Sequence, residues 1–449
     1  MSTTASKPPV VLPGPDPTDG LPELVHDDAL FPERVKSPRR SAVELLVTVT
    51  VIVVLATLAG ALDLVIVLGA LIAMVMLHEL GHLLAAKRGG MKVTEYFLGF
   101  GPRLWSVRRG ETEYGVKAIP AGGYVKIPGM TALEEVDPED DPRTYREQPF
   151  HSRLLVAVAG SAMHFILGFL LIWVLLVFVG TGVSSQLQIQ SFASIPGAAN
   201  PAQQAGIRTG DIVVSVDGHR ETGSGDVTAH QIQTHADRPV TVVVDRDGRD
   251  LTFTVTPVNA RDYHLNGYDL PAGTAPYGII GISEGNPTAT ENPIRSVGTA
   301  VVDLGKIMWA SVLGVVHIFQ PSHLVGAYHQ ATSARAASQA ATNGTRVSSI
   351  VGAVRTADQA AHHGLGDLLD VLITIIVFLG VINLFPLLPF DGGHVSIAVY
   401  ERIRSRKGRP AYHADVTKMM PFTWVVLGYL GLVVLFALTA DLLHPATFS

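Results

Sequence analysis

Residues Ala42 to Ala86 form an apolar stretch that is too long for a single membrane crossing, because about 20 helical residues cross the hydrocarbon core of a bilayer. Gly60 and Asp63 break it, which predicts a first span over 43–61 and a second over 64–86. Three more runs of spanning length follow: Leu154 to Val179, Val371 to Phe390 and Phe422 to Ala440. A chain with five such runs has few options. Every backbone N–H and C=O in a bilayer must be satisfied internally, so the spans must be helices. Composition agrees, with 47% hydrophobic and only 16% charged residues. Soluble chains of this size carry about a quarter charged residues. The net charge of −6 argues against nucleic acid as a partner.

Lys and Arg collect on the cytosolic side of membrane proteins and so orient the spans. Arg34, Lys36, Arg39 and Arg40 precede the first span; Lys87, Arg88 and Lys92 follow the second. Arg146 and Arg153 precede the third, and Arg402, Arg404, Arg406, Lys407 and Arg409 separate the fourth from the fifth. One arrangement satisfies all of them: a cytosolic N-terminus, residues 181–366 outside, and an external C-terminus. The expected organisation is a disordered cytoplasmic tail over 1–41, rich in proline, and an N-terminal transmembrane helix over 42–62. A second transmembrane helix covers 63–88, β-structure 92–129, and a third transmembrane helix 154–180. An outer domain occupies 186–285, and amphipathic surface helices occupy 293–320. Transmembrane helices over 367–403 and 421–441 complete the chain. The acidic run Glu134 to Asp141 reads as a solvated loop, and the Ala-, Ser-, Gln- and Thr-rich stretch 325–362 as a mobile outer loop.

In the 92–129 segment, aromatic and β-branched residues alternate with polar ones around Arg109-Gly110, which predicts a hairpin or small sheet. In the outer segment, Ala205-Gly206-Ile207-Arg208-Thr209-Gly210-Asp211 leads into an alternating strand and then a turn at Asp217-Gly218. Further strand-like runs lie at 239–245 and 250–256. This segment resembles a PDZ domain of the bacterial type.

The chemistry sits inside the second span, at His78-Glu79-Leu80-Gly81-His82. Residues four apart share a helix face, so two imidazoles can bind one zinc ion while the intervening Glu serves as general base. A charge in mid-membrane costs about 2.5–3.5 kcal/mol, so three ionisable side chains there need a reason beyond helix packing. The chain has no cysteine, so any further ligand must be His, Asp or Glu. Asp391 lies at a matching depth. His78 is roughly 13 Å of helix before Lys87, and Asp391 roughly 16 Å before Arg402. His164, alone in the third span, reads as a packing residue that could assist the site.

HELGH in a span, a Gly-rich β segment after it, an outer PDZ-like domain and the late motif Asn383-Leu384-Phe385-Pro386-Leu387-Leu388-Pro389-Phe390-Asp391-Gly392-Gly393 together resemble the site-2 protease family. The order is similar to its regulator-of-sigma-E-protease branch, the actinobacterial type above all, and the resemblance covers residues 64–440. It implies a polytopic α-helical plasma-membrane protein with a membrane-associated β-hairpin or sheet and one extracytoplasmic PDZ domain. It implies a Zn2+-dependent endopeptidase performing regulated intramembrane proteolysis, with His78, His82 and Asp391 as ligands and Glu79 as base. Asn383 matches the family residue that holds the substrate backbone. The implied partners are single-span membrane proteins such as an anti-sigma factor after a first cleavage. Two departures stand out. Gly160-Ser161-Ala162-Met163-His164 replaces the Gly-Pro-x-x-Asn of many relatives, and the tail and span before residue 63 are additions. Two other classes compete: a non-catalytic PDZ membrane scaffold with a structural zinc, and a metal transporter. A structural zinc would need a fourth protein ligand, and a transporter would need polar residues repeated through several spans.

Overall fold

The computed structural model describes residues 38–445 apart from 131–137, 184, 196, 263–276, 406–411, 413 and 415. Of the tail expected over 1–41, residues 1–37 lie outside the described residues and 38–41 already belong to the first helix; of the acidic run Glu134 to Asp141, residues 134–137 lie outside. Helix α1 (Pro38–Leu58) and helix α2 (Leu62–Arg88) precede strands β1 (Glu95–Arg109) and β2 (Thr112–Lys126). Helix α3 (Phe150–Val174) ends in a π turn over Leu175–Val179. A small α/β domain then holds β3 (Leu187–Phe192), β4 (Ile212–Val216), α4 (Asp226–Thr234), β5 (Val240–Arg246), β6 (Arg249–Val255) and β7 (Ile282–Gly285). Helices α5 (Pro293–Ile318), α6 (Pro321–Thr332), α7 (Ala334–Thr342), α8 (Ile350–His363), α9 (Leu365–Asn383), α10 (Asp391–Arg404) and α11 (Met420–Leu443) complete the chain. Six helices among the described residues are long and apolar enough to cross a membrane: Ser41–Leu58, Leu62–Arg88, Phe150–Val179, Pro293–Ile318, Leu365–Asn383 and Met420–Leu443. This is the architecture of a polytopic helical membrane protein.

The chain divides into two compact units, one of residues 1–162 with 384–424, the other of 163–383 with 425–449. In the first unit β1 and β2 are long enough to fold over on themselves. Phe97 pairs with both Gly115 and Tyr124, while Arg103 to Arg109 pair with Thr112 to Lys117. The result is four short strands in the order 103–109, 112–117, 95–98, 123–126. Gly99, Gly101 and Gly122 have φ of +85°, +79° and +157°, backbone that residues with a Cβ rarely adopt, and they allow the bends. The base of this sheet packs on α2 and α3 through Leu83, Met91, Val93, Ile127, Tyr145 and Val156, all buried.

In the second unit, the α/β domain carries a sheet of order β7-β3-β4-β5-β6. Its core includes Leu187, Ile189, Val213, Val216, Val242, Val244 and Ile280. Asp211, of the Gly-Asp pattern, is a structural knot: its carboxylate accepts from Arg246 Nε at 2.6 Å and from the Arg208 backbone N–H at 2.8 Å. Burial works against its ionisation, but the Arg246 hydrogen bonds hold its carboxyl below the usual range.

Two segments differ from the sequence reading. The stretch 325–362 is mostly helix, as α6, α7 and α8, and not a loop. Its alanines bury a small-residue face (Ala327, Ala331, Ala337, Ala340, Ala357 and Ala360), and Arg346 and Ser349 bond to Asp441 at the end of α11. The stretch 367–403 is two helices, α9 and α10, because Pro386 and Pro389 cannot extend a helical ladder. Helix α5, expected on a membrane surface, packs into an apolar cluster with the π turn and α9 through Ala300, Leu304, Leu369, Ile373 and Val377. At its far end Phe319 stacks on Tyr429, whose hydroxyl donates to the Ile318 carbonyl at 2.5 Å. Helix α6 then runs back along α11, with Tyr328 against Phe436.

Candidate metal centre

Helix α2 sets His78 and His82 one turn apart on one face, with their Nε2 atoms 3.2 Å from each other. Asp391 opens α10, and its Oδ2 lies 3.3 Å from His78 Nε2 and 3.2 Å from His82 Nε2. Both imidazoles are buried, and Asp391 is half-buried. Among the described residues this is the only group of three or more His, Asp and Glu whose donor atoms converge in this way.

The local chain explains why these atoms meet. A Cβ on Gly392 would run into the Leu384 and Phe385 backbone, and one on Gly393 into Leu387 and Leu388. The turn over 384–390 is therefore folded tightly against the start of α10, which fixes where Asp391 points. On the other side, His82 Nδ1 lies 2.8 Å from the Val156 carbonyl of α3. A carbonyl only accepts, so Nδ1 carries the hydrogen and the neutral ring presents its Nε2 lone pair to the cluster. One turn further along α3, a Cβ on Gly160 would collide with both imidazoles. The α3 backbone thus forms a wall of the site. Arg153 and Glu401, paired at 2.6 Å and nearly buried, tie the start of α3 to α10.

These contacts test a metal directly. With both Nε2 lone pairs turned to the cluster, two imidazoles and a carboxylate oxygen at 3.2–3.3 Å would repel one another, and a cation among them removes that repulsion. Asp391 Oδ2 is buried with no hydrogen-bond donor among the described residues. Three ligands about 2.0–2.1 Å from a tetrahedral zinc ion lie about 3.3 Å apart. The donor set and its spacing fit zinc.

Glu79 lies beside the two histidines in sequence but faces the β-sheet. Its carboxylate accepts from the Val125 backbone N–H, and its Cγ lies close to Gly123, so the 123–126 strand borders it. Tyr96 holds the sheet to α2 by donating to the Met76 carbonyl at 2.7 Å. Asn383 is the last residue of α9. His164 is buried, with its Cβ against Gly380 of α9. Reading the sequence overlooked Val156 and Gly160. A carbonyl acceptor has no signature in sequence. Gly160 stands in the motif where His164 drew attention, and a glycine in a span facing two histidines was the available signal.

The family model described as Peptidase family M50 matches residues 66–427. The zinc metalloprotease Rip1 of Mycolicibacterium smegmatis is 36% identical over 84% of this chain and 96% of its own length. The zinc metalloprotease Rip1 of Mycobacterium tuberculosis is 34% identical over the same shares. A putative zinc metalloprotease of Clostridium perfringens is 29% identical over 83% of this chain and 96% of its own length. A family match over most of the chain, and relatives as close as this along nearly their whole length, give the same answer: the chain belongs to peptidase family M50, the site-2 proteases, and is a metalloendopeptidase and a multi-pass membrane protein.

Proposed function

We propose that this protein is an intramembrane zinc endopeptidase that cuts single-span membrane proteins, with His78, His82 and Asp391 holding the metal and Glu79 carrying the protons. The observation that carries this reading is the convergence of three metal-binding atoms, 3.2–3.3 Å apart, between helices of a membrane protein. Zinc bound there supplies the Lewis acidity that peptide hydrolysis needs near neutral pH. Glu79 takes the proton of the attacking water and returns one to the leaving amine. The Val125 N–H holds the Glu79 carboxylate in place for this.

A peptide bond within a helix is a poor substrate, because its carbonyl is already hydrogen-bonded. The 123–126 strand is an edge of the small sheet among the described residues and borders Glu79. An unwound substrate can add to this edge as an extended strand, which also satisfies its backbone in a site poor in water. Asn383 is the proposed second anchor of the substrate backbone. Residues 186–285 are proposed to be an extracytoplasmic PDZ domain that filters substrates by size. The favoured substrate is an anti-sigma factor or similar protein already trimmed outside.

The topology follows from the same reading. The basic residues put the N-terminus in the cytosol and the α/β domain outside. Helices α5 and α6 are proposed to enter and leave from the outer face, with their turn at the depth of Tyr429. Tyr429 is roughly 18 Å of helix from Asp441. This keeps α8 outside and lets α9 run inward to the Asp391 turn.

Glu79→Gln tests the reading. The expected result is a cleavage rate lower by about 10²–10⁴-fold, with zinc retained. Wild-type cleavage rates in that variant would overturn the assignment of Glu79.

A further inference from the structure

The α/β domain contains two carboxylates whose surroundings are opposite. Glu221 is buried and saturated. Its Oε1 accepts from the backbone N–H groups of Thr222, Gly223 and Gly225, and its Oε2 accepts from the N–H and hydroxyl of Thr228. It organises the loop that leads into α4 and stays ionised. Burial opposes that charge, but the Thr228 bonds and the backbone donors hold it below the usual carboxylate range. Glu284, on β7, sits beside that loop, with its Oε1 facing Gly225. Its Oε2 is buried and has no hydrogen-bond partner among the described residues. Burial, and then the charge of Glu221, push its carboxyl up to about 7.

Glu284 lines a cavity of about 410 Å³ with Ile195, Thr228, Ile232, Ile280 and Ile282. This volume is in the range of ligand pockets. One wall is α4, and the other is β7, the edge strand of the sheet. An edge strand beside a helix, with an apolar floor, is the geometry that accepts an extended peptide as an added strand. The charge in the groove then decides what the peptide carries. A peptide carboxylate would meet two acids. A cationic side chain would supply the donor that Glu284 Oε2 lacks and offset the Glu221 charge, in a charge-assisted hydrogen bond.

We propose that the groove between β7 and α4 takes an extended peptide segment through a lysine or arginine side chain paired with Glu284, and not through a free C-terminal carboxylate. The inference rests on the reading of this domain as a PDZ domain and specifies which chemistry it selects. For substrate recognition, a basic residue in the external segment of a partner would count for more than a newly exposed chain end.

The test uses the full-length protein in detergent micelles and fluorescent ten-residue peptides of Val, Thr and Ala. These carry a central Lys, Arg, norleucine or Glu, each with a free or an amidated C-terminus. The expected result is that the Lys and Arg peptides bind about ten-fold tighter than the norleucine peptide. Glu284→Gln removes that preference without weakening norleucine binding, and C-terminal amidation makes no difference. Binding of the Lys peptide to the wild type weakens as pH falls below about 7, where Glu284 takes up its proton. The charged group facing Glu284 is Glu221, which stays ionised through that range, and Thr228 and Gln233 of α4 are uncharged. The Glu284→Gln variant shows no such pH dependence. Equal affinity for Lys and norleucine peptides, or a preference for the free carboxylate, would overturn the proposal and leave a peptide-binding domain of another specificity. Failure of every peptide to bind would overturn the PDZ reading along with it. Glu284→Asp, which keeps the charge on a shorter stem, should retain part of the preference, and this separates the charge from any loss of fold.

Discussion

His82 presents Nδ1 to the Val156 carbonyl at 2.8 Å, so a backbone atom of α3 sets the orientation of a side chain on α2. The contact depends on how closely α3 approaches, and Gly160 permits that approach. Gly160→Ala should therefore act on the metal site although residue 160 has no functional side chain. The added methyl falls on both imidazoles. The expected outcome is zinc affinity lower by about 100-fold or more, read by competition with a chelator. Unchanged affinity would mean that α3 yields and does not form a wall.

The ligand assignment has its own test. Purified wild-type protein should hold about one zinc per chain, and His78→Ala, His82→Ala and Asp391→Ala should each lower it, by elemental analysis. Asp391 is the informative case, because it comes from a different helix. Full retention of zinc in Asp391→Ala would remove it from the ligand set.

How much of this site was legible in the sequence depended on whether the relation was local. His78 and His82 are separated by one helical turn, and spacing alone revealed their shared face. Asp391 required an argument from depth along the apolar spans, and the structure brings its carboxylate within 3.3 Å of the two imidazoles. The Val156 carbonyl and the tight 384–390 turn are matters of backbone geometry between distant segments, and no residue type announces them. The 325–362 stretch misled for a different reason. Its Ala, Ser, Gln and Thr residues look polar and unpatterned, yet alanine favours helix, and a buried acid at Asp441 with Arg346 and Ser349 anchors the helices.

Arg153 and Glu401 form an ion pair that is nearly buried, and Glu401 also accepts from the Ala414 backbone N–H at 2.7 Å. Removing one partner leaves the other charge without compensation, so Arg153→Met or Glu401→Leu alone should cost about 3–5 kcal/mol of stability. The double variant Arg153→Met with Glu401→Leu should recover most of that loss. Thermal unfolding in detergent reads both effects. Additive losses in the double variant would show that the two side chains act independently.

Since the chain has no cysteine, single-cysteine labelling reports topology cleanly. Gly110→Cys and Ser405→Cys should react with a charged reagent only from the cytosol, and Gly218→Cys only from outside. Gln320→Cys, at the α5–α6 turn, should resist the reagent from the cytosolic side. Reaction of position 320 from the cytosol would make α5 a full span and break the proposed topology, in which α9 runs inward to Asp391.

The last prediction separates filter from catalyst. The proposed PDZ domain, residues 186–285, belongs to the compact unit of 163–383 with 425–449, whereas His78, Glu79, His82 and Asp391 belong to the other. A domain that acts by excluding bulk should leave the chemistry intact when removed. Deleting 186–285 should let an untrimmed single-span substrate be cut and leave cleavage of a pre-trimmed one unchanged, in a gel assay with tagged substrates in liposomes. Glu79→Gln should stop cleavage of both. Those two outcomes place the domain and the acid at different steps, one at entry and one at hydrolysis. Loss of trimmed-substrate cleavage on deletion, with zinc content and thermal unfolding preserved, would instead make the domain part of substrate delivery. In that event Glu284→Gln should lower the rate for a substrate with an external lysine far more than for its norleucine counterpart, because the groove would be presenting the chain and not only excluding it.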